Sequence, residues 1–251
     1  MSQPFLSVII PVYNEEKRLP SSLEQALDFL EKQEYQYELI VAENGSQDNT
    51  YRIAQEFALR FPQILVLREP VRGKGLAVRR GMLESKGEYR FMCDVDFSMP
   101  VNEINRFLPP QLTDFDIAIA SREAPGAQRF REPYYRHVGG RLINLMIRWL
   151  ALPGLHDTQC GFKCFKGKIV EELFTCQKMS GWSFDVEVLY IARRFNYKIV
   201  EIPIPWYYST ESKVNPIPDS LNIIIDLLKL RRNTLKGCYD RGETANDQQF
   251  E

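Results

Sequence analysis

A chain of 251 residues with 44% hydrophobic content can bury a full core, as one large α/β domain or as two small ones. Its formal net charge of −1 excludes the broad positive field that gathers proteins onto nucleic acid, so no nucleic-acid partner is expected and any anionic ligand must be held locally. Five cysteines, an odd number, argue against a disulfide framework and for a reducing, cytoplasmic setting.

The apolar run from Phe5 to Val12 has no basic flank and is too short for a signal peptide or a membrane span. It reads instead as the first of five buried strands: Phe5 to Pro11, Tyr37 to Ala42, Ile64 to Arg68, Tyr89 to Cys93 and Phe115 to Ala120. Between them, Ser21 to Lys32, Thr50 to Phe61, Leu76 to Ser85 and Val101 to Leu108 have helical spacing. Alternation of strand and helix predicts an α/β fold with a mostly parallel sheet covered on both faces. The second half is more basic: Ser121 to Arg148 holds six arginines against Glu123 and Glu132.

Two amphipathic stretches follow. Val138 to Leu152, as a helix, puts Val138, Leu142, Leu145, Met146 and Trp149 on one face beside a stripe of Arg141, Asn144 and Arg148; this suits either core packing or a membrane interface. Leu221 to Leu235 repeats the theme with Ile223, Ile224, Leu227 and Leu228 beside Lys229, Arg231 and Arg232. Neither approaches the roughly 20 apolar residues that a bilayer crossing needs. The polar run 237–251 is expected to be a disordered tail.

In parallel sheets, ligands bind beyond the carboxyl ends of the strands. Three polar clusters stand there: Pro11-Val12-Tyr13-Asn14-Glu15, Glu43-Asn44-Gly45-Ser46-Gln47-Asp48 and Asp94-Val95-Asp96. Strand alternation sends Asp94 and Asp96 to one side, where two hard oxygen ligands suit Mg²⁺ or Mn²⁺. An isolated Asp-x-Asp is more often a solvated turn, and its place after a buried strand favours the metal. Glu43 stands where an acid meets a base or ribose, although its Asn-Gly turn alone says only that the chain bends. Gly73-Lys74-Gly75 opens a helix, which is equally a plain entry turn or a phosphate contact. Cys160 and Cys164 lack the further ligands of a metal tetrad and read as structural. With only His137 and His156, a His-dependent triad is improbable.

In this order the clusters resemble the family 2 glycosyltransferases of GT-A fold. Ala120-Ser121-Arg122, Arg136 to Asn144, Asp157 to Lys163, Trp182 to Glu187 and Ser212-Lys213 narrow the resemblance to the polyprenyl-phosphate group, nearest the dolichyl-phosphate glucosyltransferase branch. The resemblance spans about Phe5 to Leu235. It implies a single domain over 1–236, with a nucleotide-binding half (1–120) and an acceptor-binding half (121–236). It further implies inverting transfer of a hexose, glucose from UDP-glucose before mannose from GDP-mannose, onto a polyprenyl phosphate at the cytoplasmic membrane face.

By the same resemblance Pro11, Tyr13, Glu15, Glu43, Lys74, Asp94, Asp96 and Lys213 serve the nucleotide-sugar donor. Asp94 and Asp96 hold the metal; Arg122, Arg136 and Lys163 meet acceptor phosphate; Asp157, with Asp96, is a candidate catalytic residue. Glu43 and Asn44 depart from the family's usual Asp-Asp, which leaves the base preference open. A transferase with a soluble acceptor, a nucleotidyltransferase and a silent nucleotide-sugar binding module are the competing readings.

Overall fold

The computed structural model describes residues 3–208 and 216–241, with 134–138, 142 and 216–221 described for their backbone only. Seven strands form the main sheet: β1 (Leu6–Val12), β2 (Tyr37–Glu43), β3 (Ile64–Arg68), β4 (Tyr89–Cys93), β5 (Ile117–Ser121), β7 (Phe162–Lys166) and β8 (Ile199–Pro203). Their spatial order is β3-β2-β1-β4-β7-β5-β8. All neighbours run parallel except β7, which is antiparallel to both β4 and β5. Two short strands, β6 (Gln128–Phe130) and β9 (Pro205–Tyr207), pair beside it.

Alternation along β1 explains the two-sided core. Leu6, Val8, Ile10 and Val12 face one layer, with α1 (Leu19–Leu30), α2 (Thr50–Arg60) and a 3-10 helix (Val101–Phe107). Ile9 faces the other, with α3 (Lys74–Glu84), α5 (Gly167–Cys176) and α6 (Phe184–Arg194). Stretches of β-branched and aromatic residues buried on both faces are what a parallel sheet requires. The segment expected as a fourth regular helix is the 3-10 helix. Its Phe107 makes edge-to-face contacts with Phe91 of β4 and Phe162 of β7 at 5.4 Å each, and those two rings are 4.5 Å apart. This trio, each pair adding about 1 kcal/mol, fixes β7 beside β4.

The two amphipathic stretches form α4 (Tyr134–Leu150) and α7 (Pro216–Leu235). Asn144 and Ile147 face inward, whereas Leu145 and Trp149 of the expected apolar face point to solvent, Trp149 being 84% exposed. On α7, Ile223, Leu227 and Leu230 are buried while Ile224, Ile225 and Leu228 remain exposed. No helix among the described residues is long and apolar enough to cross a membrane. Order also continues into the stretch expected to lack it, because Tyr239 is completely buried and its hydroxyl donates to Glu187 Oε1 at 2.5 Å. Residues 242–251 of that expected tail lie outside the described residues.

Candidate active site

The rim lies at the carboxyl ends of β1, β2 and β4, where the strand order reverses. Pro11 and Val12 end β1 within the core, and Asn14 turns the chain at φ 50, a conformation Asn tolerates better than most residues. The two loops are then stitched together. Asn14 N donates to Ser46 Oγ at 3.0 Å, Gln47 N donates to Asn14 Oδ1 at 2.8 Å, and Glu15 N donates to Thr50 Oγ1 at 2.7 Å.

Glu15 is itself buried and takes a fork from Arg18 at 2.7 and 2.8 Å, so its carboxylate braces the loop. Glu43 is buried at the end of β2, with Oε1 accepting from Ser46 N. Its Oε2 lies 3.4 Å from Arg68 Nε and takes no hydrogen bond among the described residues. Arg72 stacks over Tyr13 at 4.7 Å and Arg68 over Tyr51 at 4.6 Å. Glu43 thus stands next to a cation that is itself stacked on an aromatic ring.

Asn44 has a role that an acid would not fill. Its amide donates to Val71 O and accepts from Gly73 N, both at 2.7 Å, which clamps the loop leading into α3. A carboxylate accepts only. The glycines flanking Lys74 admit the segment after α5: a Cβ on Gly73 would lie 2.5 Å from Ser180 O, and one on Gly75 2.7 Å from Met179 O. Lys74 Nζ reaches Asp94 Oδ1 at 2.6 Å and lies 4.8 Å from the centre of the Trp182 ring. Burial works to lower the affinity of this ammonium for its proton, but Asp94, Asp185 and Asp96 together raise it above the ordinary lysine value.

Asp94 follows β4, and its backbone N–H donates to Gly161 O at 2.9 Å. A Cβ on Gly161 would lie 1.9 Å from Asp94 Oδ2, so only glycine leaves room for that carboxylate. Asp96 Oδ1 accepts from Ser98 N at 3.0 Å. Burial, and next the charge of Asp94, raise its carboxyl above the usual aspartate value. Two crowded acids of this kind create a demand for positive charge that a divalent ion satisfies, and the residues therefore fit Mg²⁺ or Mn²⁺. Among the described residues no third His, Cys, Asp or Glu completes a protein cage, so such an ion would draw its other ligands from phosphate oxygens and water.

At the other end of the 157–161 loop, Asp157 meets Arg122, which follows β5. Its Nε and Nη2 fork onto Asp157 Oδ2 and Oδ1 at 2.6 and 2.9 Å, and its backbone N–H adds a third bond at 3.0 Å. Asp157 is 0% exposed. Burial pushes its carboxyl up, but Arg122 outweighs this and holds it below the usual value. Both oxygens are occupied by Arg122, so the geometry makes Asp157 a holder of that arginine and leaves it no free oxygen for a proton. Glu201 supports the loop, accepting from the backbone of His156 and Asp157 at 2.9 Å. Trp206 lies under Arg122 and Arg129, 5.5 and 5.7 Å from the ring centre.

Lys163 differs from its expected role. It is 1% exposed, and its ammonium turns inward to Asp185 Oδ1 at 2.6 Å and Cys160 O at 2.5 Å. An ammonium held so far inside presents no charge to an acceptor phosphate; it supports the floor on which Gly161 lies. The side chain of Arg136 and the whole of Lys213 lie outside the described residues. Cys160 and Cys164 are buried core thiols, Cys160 being pushed by burial to about 12. Nothing in the local sequence marks Arg72, Arg129 or Glu201 for this site, and Trp182 and Asp185 stand in a motif of the family resemblance that gives them no role.

Residues 7–174 match the model of glycosyl transferase family 2. The chain belongs to that family. This glycosyltransferase is 32% identical over 250 residues to a dolichyl-phosphate beta-glucosyltransferase of Dictyostelium discoideum, covering 94% of this chain and 76% of the relative. The Homo sapiens protein of the same name is 33% identical, over 95% of this chain and 78% of its own length. Among solved structures, glucosyl-3-phosphoglycerate synthase from Mycobacterium tuberculosis, in complex with Mn²⁺, UDP-glucose and phosphoglyceric acid, superposes with a TM-score of 0.65 at 16% identity. It covers 94% of this chain and 80% of its own. Mannosyl-3-phosphoglycerate synthase from Rubrobacter xylanophilus superposes at 0.67 with 13% identity, over 99% and 79%. These likenesses establish the mostly parallel GT-A architecture of this family 2 enzyme.

Proposed function

We propose that this chain transfers glucose from UDP-glucose to a dolichyl or other polyprenyl phosphate, with inversion, while resting on a membrane surface. The observation that carries the reading is one loop with two tasks: residues 157–161 hold Arg122 at one end and cradle Asp94 at the other. An acceptor phosphate on Arg122 and a donor diphosphate beside Asp94 and Asp96 would therefore meet over Gly161.

In this reading Pro11, Tyr13 and Glu43 line the nucleoside end, with Tyr13 offering a face for the base. Asp94 and Asp96 would hold Mg²⁺ or Mn²⁺, whose charge, when bound, offsets that of the departing diphosphate. Lys74 approaches the same diphosphate from the start of α3. Arg122, with Arg136 and Lys213 as further candidates, orients the acceptor phosphate so that its oxygen attacks the anomeric carbon opposite the leaving group. That oxygen is ionised at neutral pH, so no general base is needed, in keeping with the full engagement of Asp157. Positioning and charge stabilisation supply the rate.

The membrane contact would be made by the exposed apolar residues of α4 and α7, flanked by arginines and lysine. A cytoplasmic-facing, reducing setting accords with five free cysteines.

The test pairs UDP-glucose and GDP-mannose, each with dolichyl phosphate or 3-phosphoglycerate, in the presence of Mg²⁺ or Mn²⁺. We expect an organic-soluble glucosyl lipid from UDP-glucose alone, and no product from Asp96→Asn despite an unchanged unfolding transition. Mannosyl lipid as the main product, a product only with the soluble acceptor, or full turnover in Asp96→Asn would overturn the proposal.

A further inference from the structure

The carboxylate of Asp94 is partly exposed, and a cation of the protein itself already touches it. Oδ2 is pressed against the Gly161 backbone, where even a methyl group would collide. Oδ1 faces the rim and receives Lys74 Nζ at 2.6 Å. The lysine is held from three sides. Gly73 N is fixed by Asn44, Gly75 N donates to Ser180 O at 2.8 Å, and the exposed Trp182 ring covers the ammonium.

The neighbouring Lys163 is a useful contrast. It is locked inside by Asp185 and Cys160 O, whereas Lys74 sits on the first residue of α3 with its side chain 15% exposed, its ammonium bound to a partly exposed carboxylate at the edge of solvent.

We propose that Lys74 is a tethered competitor for the metal: its ammonium occupies Asp94 Oδ1 until a nucleoside diphosphate draws it away, so that donor and divalent ion bind as a linked pair. This rests on the reading that Asp94 and Asp96 hold the ion. An ammonium and a divalent cation repel one another at a shared oxygen, so whatever displaces the first favours the second. Linkage is reciprocal, and the lysine's move from carboxylate to diphosphate couples the two affinities. Trp182, which has no part in the proposed chemistry, becomes the positioning group that keeps the ammonium on Asp94.

The experiment measures Mn²⁺ binding to the full chain by electron paramagnetic resonance, with and without UDP, so that no turnover is involved. The proteins are wild type, Lys74→Met, Lys74→Gln, Lys74→Arg and Asp94→Asn, with the two neutral lysine replacements guarding against a folding defect in either. Without UDP, Lys74→Met and Lys74→Gln are expected to bind Mn²⁺ about tenfold more tightly than wild type, and the strengthening by UDP should shrink correspondingly. Lys74→Arg, which keeps the cation, should resemble wild type. Equal or weaker binding of Mn²⁺ alone by both neutral variants overturns the competitor role while leaving the metal site standing. Undiminished Mn²⁺–UDP binding by Asp94→Asn would instead remove the metal reading, and the inference with it.

Discussion

Arg122 forks onto the buried Asp157 carboxylate, and this pairing sets a pH dependence. The Asp157 carboxyl is held below its ordinary value, so its contribution to stability is complete above the unfolded-state pKa of about 3.9. As pH falls through the lower, folded value, that contribution is lost. In this acidic window the unfolded chain binds more protons than the folded one at this site, and stability rises with pH. Asp157→Asn removes that part of the slope and leaves the arginine without its counter-charge. We expect a loss of about 3 kcal/mol at neutral pH, with a flatter acid limb, read from urea unfolding between pH 3 and 7. If the variant unfolds with the wild-type acid limb, the fork does not control it.

At this scale the sequence was legible where chemistry follows from local position. Asp94, Asp96 and Lys74 stand at element ends, and the structure brings them together. Lys163 was not legible, because its burial depends on Asp185, 22 residues further along and on another element.

At the scale of elements, Glu187 on α6 joins three parts of the chain. Oε2 accepts from the backbone of Lys178 and Met179 at 3.0 and 2.7 Å, while Oε1 accepts from the Tyr239 hydroxyl. The segment so held is the one that packs on Gly73 and Gly75. Tyr239→Phe, which leaves Glu187 with one partner fewer, should destabilise by about 1–2 kcal/mol. Ending the chain at Lys236 removes a buried aromatic as well and should cost about 3–5 kcal/mol. Thermal or denaturant unfolding of the two variants, with wild-type stability as the opposing result, decides the matter.

The first four strands could be read from apolar runs, and each begins within one residue of its expected start. β7 could not be delimited in the same way. Its Phe-Lys-Cys-Phe-Lys pattern places a lysine among buried neighbours, and only pairing with β4 and β5 makes it a central strand. The polar composition after residue 236 likewise concealed the single tyrosine that anchors it.

For the whole molecule, one pair of helices carries a run of exposed apolar side chains, apart from others such as Leu59, Leu65 and Val71 elsewhere on the surface. Leu145 and Trp149 project from α4, and Ile224, Ile225 and Leu228, the last 67% exposed, project from α7. Arg231 reaches from α7 to the carbonyl of Leu150, tying the pair together. Helical periodicity placed Leu145, Trp149, Ile224 and Leu228 on apolar faces, though not Ile225, but it could not say which would face the core, since that depends on what packs against each helix. Trp149→Glu with Leu228→Glu should sharply reduce flotation with vesicles containing anionic lipid, while the unfolding midpoint stays within a few degrees of wild type. Equal flotation would exclude this surface as the membrane contact.

The position of β7 in the sheet also bears on how the protein is made. Asp94 emerges from the ribosome well before its cradle at Gly161, and the strand that carries the cradle lies between β4 and β5. A nascent chain halted at residue 120 would possess both aspartates but lack the wall against which one of them rests. The halves inferred from the motifs are thus interleaved in space, and separate expression of either should yield a fragment that cannot close its own sheet.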